Sequence, residues 1–260
     1  MYKINNIDLA TFGITPIQAS GQSLATTGVF DFPNRKGTTE HTWGTEIESF
    51  VLAADLEYEG RNVSFSGLMR AATRAALLTN LNSLVTLCKS GILNFETRVG
   101  TFAVYLTGEI QIAELSDTII NMEAKFRQPI VLFPIAAGAA TGGTGYRLAG
   151  YNLKNDFGIV VNYASGKIDT PARIEIKTTD FYANPAYRQP KETVLNCTML
   201  SSSLADLTNK MGRLHGLLSQ PGLKVLTFPD ETTQSVFIKG GFNVSGITEY
   251  ACQFTLTLRA

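Results

Sequence analysis

Two stretches of this chain align without a gap: TFAVYLTGEIQIAELSDTIINMEAKFR at residues 101–127 and TQSVFIKGGFNVSGITEYACQFTLTLR at residues 233–259. Identities are few, with Thr101, Val104, Gly108 and Arg127 recurring as Thr233, Val236, Gly240 and Arg259. The polarity pattern recurs almost throughout. Val104, Leu106, Gly108, Ile110 and Ile112 alternate with Tyr105, Thr107, Glu109 and Gln111, and Val236, Ile238, Gly240, Phe242 and Val244 alternate with Phe237, Lys239, Gly241 and Asn243. A period of two over this length predicts a half-buried strand in each copy. The strand that closes each stretch obeys the same rule. Ile120, Met122, Ala124 and Phe126 share one face, as do Cys252, Phe254, Leu256 and Leu258, while the opposite faces carry Asn121, Glu123 and Lys125, and Gln253, Thr255 and Thr257.

A duplication predicts that other landmarks recur in order. FGITPIQASG at residues 12–21 and FGIVVNYASG at residues 157–166 share six of ten positions, 145 residues apart. Each phrase reads as an early strand, with its Ser-Gly as the turn that ends it. YKINNIDL and YRLAGYNL precede them. Each half then carries one amphipathic helix. Leu77, Leu81, Leu84 and Cys88, and Leu207, Met211, Leu214 and Leu218, follow the same four-three-four spacing. Gly91 and Gly222 suit the left-handed residue after a helix, and Ser201–Ser203 offer N-caps. The first half holds 14 extra residues between its motif glycine and its helix-end glycine (78 against 64), which are assigned to residues 32–46, a polar stretch without periodicity. Residues 178–192, with two prolines and three aromatics, read as the second half's own long loop.

The predicted fold is therefore α+β, mainly β. Two tandem modules, each a β-sandwich or open barrel with one packed helix, occupy residues 1–128 and 146–260. Residues 129–145 join them, and AAGAATGGTG at 136–145 reads as a flexible linker.

The chain balances 22 basic against 22 acidic residues, so net charge supplies no drive toward nucleic acid or an anionic membrane. The halves differ, with net charge −3 over residues 1–128 (10 basic, 13 acidic) and +3 over residues 129–260 (12 basic, 9 acidic). This reads either as drift or as unlike halves that meet. No signal peptide is read at the N-terminus, and the longest apolar run, broken by two prolines, is too short to insert in a membrane. Synthesis in a cytoplasm is inferred. Cys88, Cys197 and Cys252 are too scattered for a metal site and read as reduced, mostly buried thiols.

No catalytic constellation is found, so the chain is not read as an enzyme, and no metal or cofactor is implied. His41 lies between Glu40 and Glu46 at a spacing that matches no established ligand pattern, and His215 reads as a helix-flank residue. GAATGGTG has no strand-to-helix context for a phosphate cradle. Candidate partner contacts are the polar and aromatic residues of the long loops: Arg35, His41, Trp43, Tyr182, Tyr187 and Arg188. Fold-back of these aromatics onto their own module is the competing reading.

The paired openings, the two helices and the hairpins at 101–127 and 233–259 together resemble the tail-tube fold of tailed bacteriophages. That superfamily contains tube proteins, distal tail proteins and baseplate hub proteins. A second tube-like module in place of a different C-terminal domain departs from the usual distal tail protein and is similar to hub proteins. The resemblance implies a structural protein of the virion of a phage or prophage, forming a ring at the tube-to-tip junction. It implies self-association as a trimer with pseudo-sixfold symmetry, or as a hexamer, beside neighbouring tail proteins. Polar residues Thr107, Glu109, Gln111, Lys239 and Asn243 then become candidates for a channel face. A tandem recognition module, binding glycan or protein through Trp43, Tyr182 and Tyr187, is the alternative.

Overall fold

The computed structural model describes residues 1–42, 47–168, 175–176, 182–183 and 191–260. The first half contains β1 (Lys3–Ile4), β2 (Ile7–Asp8), a short 3-10 turn (Leu9–Phe12), β3 (Ile14–Pro16), β4 (Thr26–Thr27), β5 (Glu40–Thr42), β6 (Ile47–Ser49) and β7 (Arg61–Arg70). It continues with α1 (Arg74–Cys88), β8 (Leu93–Thr97), β9 (Gly100–Leu106), β10 (Gln111–Ser116) and β11 (Ile119–Gln128). The second half contains β12 (Arg147–Leu148), β13 (Tyr151–Asn152), α2 (Leu153–Phe157), β14 (Ile159–Ile168), β15 (Glu175–Ile176), β16 (Tyr182–Ala183) and β17 (Lys191–Leu200). It ends with α3 (Leu204–Leu218), β18 (Lys224–Thr227), β19 (Thr233–Ile238), β20 (Val244–Ser245) and β21 (Ala251–Arg259).

The same strand order occurs twice. One sheet runs β2-β1-β8-β9-β11-β7-β3, with β10 added on β11 and β4 on β7; the other runs β13-β12-β18-β19-β21-β17-β14, with β20 added on β21. The fold is mainly β, with antiparallel sheets curled into a half-barrel. The alternating strands behave as their pattern predicts. Ile120, Met122, Ala124 and Phe126 of β11 are buried, and so are Cys252, Phe254, Leu256 and Leu258 of β21. Burial of such side chains contributes roughly 1.5–3 kcal/mol each. The helices cover these faces through Leu77, Leu84 and Cys88 of α1 and Leu207, Met211, Leu214 and Leu218 of α3. Thr73 and Ser203 cap them, each side chain accepting a backbone N–H three residues on.

The duplicated opening has a specific geometric cause. Gly13 and Gly158 both adopt a left-handed conformation, at φ +72° and +68°, and close the turns that precede β3 and β14. A Cβ at Gly13 would lie 2.1 Å from the Arg70 carbonyl oxygen, and one at Gly158 would lie 2.3 Å from that of Leu200. Ile14 and Ile159 then enter the core opposite Met69 and Met199.

The later half of the phrase does not correspond in space. Gly21 is a left-handed residue outside the sheet, whereas Gly166 lies within β14. Sheet register instead matches Thr26, opposite Phe65, with Ala164, opposite Leu195. The offset between halves is thus 145 at Ile14 and Ile159 but 138 at Thr26 and Ala164, so seven of the extra residues precede β4. The assignment of all of them to residues 32–46 is corrected accordingly.

Three further expectations change. The long strand predicted across residues 101–112 stops at Leu106, where Gly108 turns at φ +93°, and β10 beyond it is exposed throughout. Residues 32–46 are not simply loop, because Glu40–Thr42 pairs with Ile47–Ser49 as a hairpin. The linker is not free: it lies along α3. Ile135 sits so close that a Cβ on Gly216 would be 2.0 Å from its carbonyl oxygen, and Arg213 Nε donates to Ala137 O at 2.8 Å. Because this strap covers the outer side of α3, His215, Gly216 and Leu217 are buried as well as the predicted stripe.

Candidate functional site

The two halves meet at an isolated bridge outside the strands of either sheet. Phe32 and Phe242 form an antiparallel bridge, with N···O distances of 2.9 and 3.0 Å. Side chains of the first half satisfy neighbouring backbone donors of the second. Asp31 Oδ1 accepts from Val244 N at 2.7 Å, and Asn34 Oδ1 accepts from Gly241 N at 2.7 Å. Gly241 is required for this approach, since a Cβ there would meet Phe32 O at 2.1 Å. Ser23 N donates to Ile247 O at 2.7 Å, so the residues inserted before β4 also join the seam.

An aromatic cluster lies under the bridge. Phe32 contacts Tyr58, Phe133, His215 and Phe242 at ring-centroid distances of 5.2–5.6 Å, and Phe242 stacks on Phe254 at 4.9 Å. Charges reinforce the rim. Glu40 of β5 pairs with Lys239 at 2.8 Å and with Arg259 at 2.7 Å. Burial raises the Glu40 carboxyl, but these two cations outweigh it and hold the group below the usual carboxylate range. Asp31 goes the other way: burial raises it, against the Val244 N–H and Arg61. The unlike net charges of the two halves therefore meet at least at Glu40.

His215 is buried beside the bridge, and burial, followed by the nearby Arg61 charge, depresses it to about 3 despite a hydrogen bond with the Phe30 backbone. It is neutral in the folded protein at any ordinary pH. An unfolded histidine takes up a proton near pH 6.5. The native state thus binds fewer protons between about pH 3 and 6.5, and stability is lost as pH falls through that window. The expected slope is about 1.4 kcal/mol per pH unit below pH 6. Urea unfolding of the wild type and His215→Phe at pH 7, 6, 5 and 4 checks this; equal slopes in the two proteins would exclude His215 as the cause.

Outward-facing residues of the central strands form a polar surface that crosses the seam. Arg127 Nη1 donates to Asn62 Oδ1 at 3.0 Å, Asn162 Nδ2 to Thr198 Oγ1 at 2.7 Å, and Thr255 Oγ1 to Asn196 Oδ1 at 3.0 Å. A groove of about 680 Å³ runs along this surface, lined from the first half by Asp31, Asn34, Glu59, Arg61, Asn62 and Arg127. From the second half come Asn162, Asn196, Asn243, Gln253, Thr255 and Thr257. Its two acids and two cations balance, and amides and hydroxyls supply most of the remainder. Such a wall is polar and charge-balanced, without a focused field for a charged ligand. Among the described residues no three of His, Cys, Asp and Glu are grouped to hold a metal ion, and no helix is long and apolar enough to cross a membrane. Burial raises all three thiols, Cys88 to about 11 and Cys197 and Cys252 to about 12.

The sequence-predicted residues fall in different places. Asn243 lines the groove, and Thr107 joins it in an adjoining groove with Asn62 and Ser64. Lys239 is occupied by Glu40. Glu109 is exposed on the segment that leads into β10, and Gln111 is exposed as the first residue of that strand. Arg35, predicted to face a partner, turns inward: its guanidinium donates to the carbonyls of Phe50 and Asp55 and holds the base of the β5–β6 hairpin. His41 is exposed on β5. Trp43, Tyr187 and Arg188 lie outside the described residues, and of Tyr182 only the backbone pairing with Ile176 is described. The sequence reading missed Asp31, Phe32, Asn34, Glu40 and His215. The available signal was the pair Gly240–Gly241 inside a strand pattern, which marks close backbone approach.

No protein-family model and no curated protein matches the chain. Among solved structures, the crystal structure of SPP1 Dit (gp 19.1), described as a paradigm of the hub adsorption apparatus in phages that infect Gram-positive bacteria, is similar with a TM-score of 0.33 and 8% identity. That similarity covers 100% of this chain and 98% of that one. A likeness at this level carries no functional weight by itself.

Proposed function

We propose that this chain is a structural protein of a phage or prophage tail, building a ring at the tube-to-tip junction of the virion with its polar sheet surface toward the lumen. The observation that carries the reading is the seam. Two halves with one strand order are joined so that their polar faces form one continuous, charge-balanced, amide-rich wall. A wall of this kind suits passage of a solute better than its capture. The tail-tube resemblance of the sequence supplies the class of assembly, and a repeated module supplies two quasi-equivalent ring positions per chain. Contacts of one kind, repeated head to tail, close into rings when the rotation allows it.

The test is mass and shape in solution. Size-exclusion chromatography with light scattering is expected to give three or six chain masses at high protein concentration, and negative-stain images are expected to show a ring with an open centre. A monomer at every concentration would refute the proposal.

A further inference from the structure

A second groove, of about 420 Å³, lies where the first module, the strap and α3 come together. Phe30 and Phe102 line it from the first half, Phe133 and Ile135 from the strap, and Met211 from α3. Its size is that of small-molecule sites, roughly 300–1,000 Å³. Unlike the seam groove, its lining is mostly apolar. Ile130 and Leu132 line it as well and are 70% and 75% exposed, so the apolar wall continues out to the mouth.

Arg61 is the only charged residue that lines this groove; His215, which lines it too, is neutral. Register places Arg61 opposite Gln128, the last residue of β11. Arg61 Nε donates to Gln128 Oε1 at 2.8 Å and Nη1 donates to Asp31 O at 3.1 Å, while the guanidinium stands over the Phe102 ring, 5.2 Å from its centroid. Two donors are left over. Among the described residues, neither Arg61 Nη2 nor the Gln128 amide nitrogen makes a hydrogen bond within the protein, and no carboxylate forms an ion pair with Arg61. Asp31 acts on Arg61 only at longer range, and its carboxylate already accepts from Val244 N. Gln128 is 9% exposed, and a buried N–H without an acceptor is costly. The Nε–Oε1 bond ties together the two side chains that carry these donors, and a two-oxygen head can accept one bond from each. The single cation balances a singly charged head, whereas a dianion would stay half compensated against apolar walls.

We infer that this groove binds an aliphatic monocarboxylate, its carboxylate accepting from Arg61 Nη2 and the Gln128 amide and its chain lying along the apolar wall toward Ile130 and Leu132. The site is independent of the ring reading, because every residue in it belongs to one chain. A bound molecule touches the first module, the strap and α3 together. Occupancy therefore holds the two halves to each other and raises the unfolding temperature by mass action.

The experiment titrates the full chain with decanoate below its micelle concentration, by calorimetry and by thermal unfolding. Decanamide, decylammonium, acetate and a short leucine peptide with a free C-terminal carboxylate serve as comparators. The variants are Arg61→Gln, which removes the charge, and Ala103→Trp, which fills the groove from an exposed position on β9. Expected is one decanoate per chain, bound at least about tenfold more tightly than decanamide or decylammonium, the usual worth of a hydrogen bond to a charged group. Acetate should not bind, because it lacks the chain. Arg61→Gln should lose the preference for acid over amide, and Ala103→Trp should weaken decanoate binding by at least about tenfold while keeping the wild-type circular dichroism spectrum. Ala103 lies outside the buried core, so that variant tests the site whether or not Arg61→Gln folds. Equal binding of decanamide or decylammonium overturns the carboxylate head. Undiminished binding to Ala103→Trp overturns the location. Absence of decanoate binding overturns the site, and tighter capture of the peptide than of decanoate overturns the small-molecule assignment in favour of a protein chain end.

Discussion

Phe32→Ala is expected to destabilise the protein by about 3–5 kcal/mol, the usual range for emptying a buried aromatic site, and to split its unfolding into two transitions. Phe32 is 2% exposed and touches rings from the first half, the strap and the second half. Removing it takes the centre from the seam while leaving each sheet its own buried layer, around Phe65, Phe95 and Phe126 on one side and Phe254, Leu256 and Met211 on the other. Differential scanning calorimetry separates the outcomes. The wild type should unfold in one cooperative event, and the variant should show an earlier event followed by a later one. A single transition shifted by less than about 1 kcal/mol, well below that range, would mean that the halves are held together elsewhere.

The second large effect is a contrast within the duplicated phrase. Gly158→Ala is expected to cost about 3 kcal/mol, combining the left-handed penalty for an L side chain with overpacking against a backbone oxygen. That oxygen belongs to Leu200, 2.3 Å from the new Cβ, and a backbone atom cannot swing aside as a side-chain end can. Gly166→Ala, eight positions on in the same phrase, should change stability by less than about 0.5 kcal/mol or raise it slightly. Its Cβ would meet nothing closer than 3.7 Å, and its φ is ordinary. Urea titrations of the two variants check the pair. Equal destabilisation would show that the phrase acts as one unit.

That contrast also explains what the sequence could disclose. Half-buried strands write themselves as alternation, so the faces of β11 and β21 and the stripes of both helices were legible residue by residue. Phe-Gly-Ile was legible too, because one backbone conformation is demanded twice. Ala-Ser-Gly was a false match: identical letters occupy a turn outside one sheet and a strand inside the other. It masked the true register, which matches Thr26 with Ala164. Alternation also ran through Gly108 without showing that the strand ends there, since periodicity records polarity and not hydrogen bonding. The inward turn of Arg35 and the burial of His215 depend on the β5–β6 hairpin and on the strap. Those contacts join residues that local patterns cannot relate, Arg35 with Phe50 and Ala137 with Arg213. Nothing in the polarity of residues 31–34 marked them as half of a seam.

The seam also sets a schedule for synthesis. Phe32 leaves the ribosome 210 residues ahead of its partner Phe242 (242 − 32). At about 5–20 residues per second, that interval is roughly 10–40 s. During it the first module can complete its own sheet, but its bridging edge and ring cluster stay uncovered. The nascent chain therefore passes through a stage with the same kind of bare edge that β10 retains at the end. Polysomes making this protein would bring several such edges close together, so translation rate and chaperone supply bear directly on the yield of correctly joined chains.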